Sequence, residues 1–78
     1  TEDYVRRLYR SRYGKTPLQF LLSARIEYAK KLLYIYGNKV SIREIAEMCG
    51  FSDPLYFSRM FKRTEGIGPK AYLSEIKK

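Results

Sequence analysis

The sequence has no histidine, a single cysteine (Cys49), and half as many acidic side chains as basic ones, 8 Asp and Glu against 16 Lys and Arg. Without histidine the chain lacks the side chain that most often ligates metals and most often acts as a general base near neutral pH. Zinc centres and Ser-His or Cys-His catalysis are therefore not expected, and no cofactor is implied. One cysteine cannot form a disulfide within the chain. Cys49 precedes Gly50 at the end of a helical pattern, where it reads as a small buried hydrophobe rather than a reactive thiol. No stretch approaches the roughly 20 apolar residues of a membrane span, and no charged start leads into an apolar segment with a small-residue cleavage site. The expected location is the cytoplasm.

The 78 residues are 45% hydrophobic and 31% charged, enough apolar mass for one small core and too balanced for a disordered tail. Chains this short bury only about 60% of their unfolded surface and do not support two cores. The formal charge of +8 favours an acidic partner, either nucleic acid or an anionic membrane surface, and does not by itself choose between them.

The chain repeats itself at an offset of 52 positions, which sets Tyr4 on Tyr56, Arg7 on Arg59, Gly14 on Gly66, Pro17 on Pro69 and Leu21 on Leu73. Near-matches include Leu8 with Met60, Tyr9 with Phe61, Arg10 with Lys62 and Phe20 with Tyr72. Duplication of one supersecondary unit preserves a Gly, a Pro and the apolar positions together, which chance rarely does.

In the second copy Ser41 and Glu44 have capping-box spacing, and Ile42, Ile45, Ala46 and Cys49 recur on one face, which predicts a helix over 41–49 stopped by Gly50. Another helix can start at Ser52 or Asp53, with Pro54 in its first turn, Phe57, Met60 and Phe61 as its buried face, and Gly66 as its stop. Two short helices joined at a glycine, with small Ala46 where they cross, fit a helix-turn-helix. Between the copies a longer helix is predicted over 16–36. Thr16 is its cap, and Leu18, Leu21, Leu22, Ile26, Ala29, Leu32, Leu33 and Tyr36 form its apolar stripe. About twenty residues make a rod of about 30 Å, comparable with one turn of B-DNA at about 34 Å.

The segments RIEYAKKLL (25–33) and SIREIAEMCGFSDPLYFSRMFKR (41–63), continued by Gly66, Pro69 and Tyr72, resemble the AraC/XylS family of bacterial transcription regulators, and the resemblance runs through essentially the whole chain. It implies an all-α fold of two helix-turn-helix modules joined by a long linker helix, each module placing its second helix in the major groove. Residues 1–15 then correspond to the reading helix of the first module, 16–37 to the linker, and 41–78 to the second module with a closing helix. Thr1 falls on Asp53 under the repeat, so the first two helices of the first module are expected outside these 78 residues. The resemblance also implies an effector or dimerisation domain upstream in the full-length protein.

By the same resemblance Pro54, Leu55, Ser58 and Arg59 face bases in the second module, and Asp3, Arg6 and Arg7 take the corresponding places in the first. Arg59 can bond both acceptors of guanine, and Asp3 can accept from a cytosine amino group or stabilise the helix dipole. Pro54 and Leu55 offer apolar contact to a thymine methyl or sugar, with helix initiation and partial burial as their structural readings. Arg10, Arg12, Lys15, Lys62 and Arg63 form the expected phosphate set. Arg25 falls inside the apolar stripe of the linker, where a charge needs a partner, either exposed backbone carbonyls or a phosphate.

The resulting expectation is sequence-specific binding of double-stranded DNA in transcription regulation, without enzymatic activity or membrane contact, and with RNA polymerase as a possible further partner. The alternative is the recognition module of a DNA-acting enzyme, such as an alkyl-transfer repair regulator, whose reactive residue would lie in another domain.

Overall fold

Segment 17–36 contains no glycine, and its one proline opens it, so nothing inside it interrupts a helix. In the computed structural model, which describes residues 4–7 and 14–77, it forms the continuous helix α1 (Pro17–Tyr36). Thr16 Oγ1 accepts from the Gln19 N–H at 3.1 Å, and Gln19 Oε1 accepts from the Thr16 N–H at 3.0 Å. This reciprocal pair satisfies two backbone donors at the helix start, and Pro17 has no N–H to lose there. Gly37 closes the helix, its N–H donating to Leu33 O at 3.0 Å.

Three shorter helices follow: α2 (Ile42–Met48), α3 (Pro54–Glu65) and α4 (Pro69–Ile76). Residues 4–7 are also helical, and there is no strand among the described residues. Ser41 Oγ accepts from the Glu44 N–H at 3.1 Å, so the predicted cap of α2 is present. No return bond from the Glu44 carboxylate forms among the described residues; that carboxylate lies in the first turn, where it favours the helix dipole. Asp53 starts α3 by accepting from the Leu55 N–H at 2.9 Å, and Gly66 ends it in the left-handed conformation, φ 87°, donating to Lys62 O. That conformation is the usual exit of a helix and costs glycine nothing.

The core lies where α2, α3 and α4 close on α1. Leu22, Ile26, Ala29, Leu32 and Leu33 of α1 meet Ile45 and Ala46 of α2, Cys49 and Phe51 of the following turn, and Phe57 and Phe61 of α3. Ala46 is fully buried, as a small residue at a close helix crossing should be. Aromatic rings run through the core as a chain, with centroid separations of 5.2 Å for Phe51 and Phe57, 5.8 Å for Phe57 and Phe61, and 5.3 Å for Phe61 and Tyr72. Cys49 is buried, and loss of hydration pushes its thiol up to about 11, so the sulfur is a packing group at neutral pH.

The predicted apolar stripe of α1 needs one correction. Its middle and C-terminal part is buried, but Leu18 (61% exposed), Leu21 and Tyr36 lie on the surface. The second module covers only part of the rod, and the N-terminal end has no equivalent cover among the described residues. The repeat shows the same asymmetry, because Phe57 is fully buried while its counterpart Val5 is 48% exposed.

Candidate nucleic-acid interface

The turn between α2 and α3 is set by Gly50, which stands at φ 92°. The Phe51 N–H then reaches back to Ala46 O at 2.9 Å, turning the Phe51 ring into the core. Arg25 reaches this turn from α1. Its guanidinium carbon lies 5.7 Å from the centre of the Phe51 ring, the distance of a cation–π contact. The sequence expects a carbonyl or a phosphate beside Arg25; the partner found is an aromatic face supplied by the turn itself. A methyl group at position 50 would come within 3.2 Å of Arg25 Nε. Gly50→Ala therefore combines a left-handed backbone with a crowded guanidinium. It is expected to cost about 1–3 kcal/mol and to lower the melting temperature by about 5–15 °C, measured by circular dichroism.

Helix α3 divides cleanly. Phe57 and Phe61 are fully buried and Met60 is half-buried, while Leu55, Arg59, Lys62 and Arg63 are exposed. At 100° per residue, Leu55, Ser58, Arg59 and Lys62 fall on one face, opposite the buried rings. Pro54 is half-buried and lies to the flank of that face, as its helix-starting role requires. Three of the four base-facing candidates of the second module thus share a surface, with Lys62 continuing it. Lys62 and Arg63 also occupy the last turn, where positive charge complements the helix dipole.

None of the ion pairs among the described residues engages Arg59, Lys62 or Arg63. The ion pair that holds α3 is made elsewhere: Glu65 meets Lys30 of α1 at 3.1 Å, and Lys30 also meets Glu27 at 3.2 Å. The hydrogen bonds that Lys30 donates to the carboxylates of Glu65, first, and Glu27, second, push its ammonium above the ordinary lysine range. The helix is therefore tied to α1 through its last turn, and its cationic side chains are left open.

In the first module Arg6 and Arg7 belong to the helical stretch 4–7 and are exposed. Asp3, Arg10 and Arg12 lie outside the described residues. Lys15 is exposed and donates to Ser23 Oγ at 3.1 Å, which directs its ammonium along α1. No group of three or more Cys, Asp or Glu side chains among the described residues is placed to hold a metal ion, and no helix there is long and apolar enough to cross a membrane.

Sequence reasoning missed two contacts, Arg25 on Phe51 and Lys30 with Glu65. The apolar position of Arg25 signalled that it needed a partner, whereas nothing local marks Lys30 and Glu65 as neighbours.

Comparison with known proteins places the chain in context. A family model described as a helix-turn-helix domain matches residues 1–75. The HTH-type transcriptional regulator YisR of Bacillus subtilis is 42% identical over 91% of this chain and 24% of its own length. The HTH-type transcriptional activator RhaR of Cronobacter sakazakii is 40% identical over 91% of this chain and 24% of its own. The MmsAB operon regulatory protein of Pseudomonas aeruginosa is 35% identical over 88% and 22%. The chain thus spans about a quarter of the length of these relatives. Among solved structures, the C-terminal domain of the two-component response regulator yesN from Fusobacterium nucleatum superposes with a TM-score of 0.84 at 34% identity, covering 94% of this chain and 69% of that one.

Proposed function

Because the chain belongs to the AraC/XylS family of helix-turn-helix transcription regulators, we propose that it binds specific double-stranded DNA with two reading helices set in successive major grooves. The observation that carries this is the open face of α3, where Leu55, Ser58, Arg59 and Lys62 stand together on a helix capped at both ends and tied to α1 through its last turn. A recognition helix reaches base edges with its N-terminal residues and phosphates with basic residues further along. Leu55, Ser58 and Arg59 are accordingly the base-facing set of one head, with Pro54 at their flank, and Asp3, Arg6 and Arg7 are that of the other. Arg10, Arg12, Lys15, Arg25, Lys62 and Arg63 meet phosphates. Helix α1, about 30 Å long at 1.5 Å per residue, suits two heads one turn of DNA apart. An effector or dimerisation domain elsewhere in the protein, and contact with RNA polymerase, complete this reading. The alternative of a module from a DNA-acting enzyme is not favoured, since the relatives are named as regulators.

The test compares Arg59→Ala with Lys62→Ala. Arg59→Ala should lose about 1–3 kcal/mol on the specific site and relax the preference for one base, as expected for a two-bond contact to guanine. Lys62→Ala should weaken all sequences about equally and reduce the salt slope by about one. Affinities for the specific duplex, its single-base variants and random duplex, read beside unchanged melting curves, separate the two. Equal losses for Arg59→Ala on every sequence would remove it from the base-reading set.

A further inference from the structure

Among the residues of the open α3 face, Leu55 is the one with nothing to donate or accept. It is 69% exposed at the second position of the helix, and its backbone is fixed by the bond from its N–H to Asp53 Oδ1 at 2.9 Å. The scaffold does not require a hydrophobe there, because the same place in the first copy of the repeat is held by Asp3. In the major groove a side chain that cannot hydrogen-bond finds one apolar feature on the base edges, the methyl group at C5 of a pyrimidine. We propose that Leu55 makes the second reading head a sensor of that methyl group, so that it takes thymine or 5-methylcytosine in preference to the unmethylated base.

This rests on the DNA-reading role argued above. Arg59 stands four residues on, one helical turn from Leu55 on the same face, about 6 Å along the axis. With base pairs about 3.4 Å apart, the methyl group and the guanine read by Arg59 are separated by roughly two base steps. Burial of one methyl group against a leucine corresponds to a preference of about three- to fivefold.

The experiment begins by selecting the duplex that the protein binds best from a random library. Each thymine of that duplex is then replaced singly by uracil, which removes only the methyl group. Uracil at one position, about two steps from the guanine whose contribution disappears in Arg59→Ala, should weaken binding about three- to fivefold. In Leu55→Ala that loss should vanish, with the melting temperature unchanged because the side chain is exposed. At the same position a 5-methylcytosine pair should bind tighter than a cytosine pair by a similar factor. Tolerance of uracil everywhere, or discrimination that survives Leu55→Ala, overturns the proposal and leaves the DNA-reading role standing. If selection enriches no sequence, the DNA-reading role itself fails and this inference falls with it.

Discussion

Phe61→Ala is expected to destabilise the domain by about 3–5 kcal/mol, the usual cost of removing a fully buried phenyl ring and leaving a cavity. A chain of this size has a total stability of only about 4–12 kcal/mol, so the variant should melt far below the parent and be largely unfolded near 37 °C. The position is severe because the Phe61 ring links Phe57, one turn earlier on α3, to Tyr72 of α4. Loss of helical circular dichroism on mild warming, with DNA binding lost in parallel, is the expected result. Phe61→Leu, which fills most of the space, should recover much of the stability. A Phe61→Ala protein that melts within a few degrees of the parent would show that the aromatic chain is not what holds the reading helix in place.

Salt should have an equally large effect on binding. If the six side chains assigned to phosphates each displace a counterion, affinity falls with salt at a slope near −5, and raising salt from about 50 to about 200 mM should weaken binding by roughly a thousandfold. Nonspecific duplex should show nearly the same slope, since phosphate contacts carry no sequence information. Arg25 offers an internal check. Arg25→Lys keeps the charge but gives up the planar stack on Phe51, so it should preserve the slope while lowering the melting temperature. A slope shallower than about −2 would mean that most of the assigned cations stay in solvent and that the phosphate set is wrong.

The helices were legible because their ends are written locally. Thr16, Ser41, Asp53, Gly50 and Gly66 act through bonds or torsions confined to a few residues, and each does in the fold what its position predicts. The buried face of α3 was legible for a similar reason, since Phe57, Met60 and Phe61 recur at helical spacing. What periodicity could not state is how far the cover extends. Leu18 and Leu21 satisfy the same stripe as Leu22 and Ile26, yet both stay exposed outside the buried core. Pairings across the fold were equally hidden. Lys30 and Glu65 are 35 positions apart, and only the packing of α3 on α1 brings them to 3.1 Å. The partner of Arg25 followed from a turn whose ring orientation depends on Gly50 and on the Phe51 to Ala46 bond, neither of which is a matter of residue type at position 25.

An uninterrupted α1 makes the relation between its two ends a matter of phase. Each residue added to it would lengthen the rod by about 1.5 Å and turn one end against the other by about 100°. A single insertion would point one set of side chains away from a surface that the other still faced, and would also carry Leu22 out of line with Ile26 and Ala29. Only additions near whole numbers of turns, such as seven or eighteen residues, return both ends to the same side, and they do so at a greater separation. Outward-facing positions such as Tyr28 and Lys31 can change freely by comparison. A helix built this way tolerates substitution on its outer face far better than any change in its length.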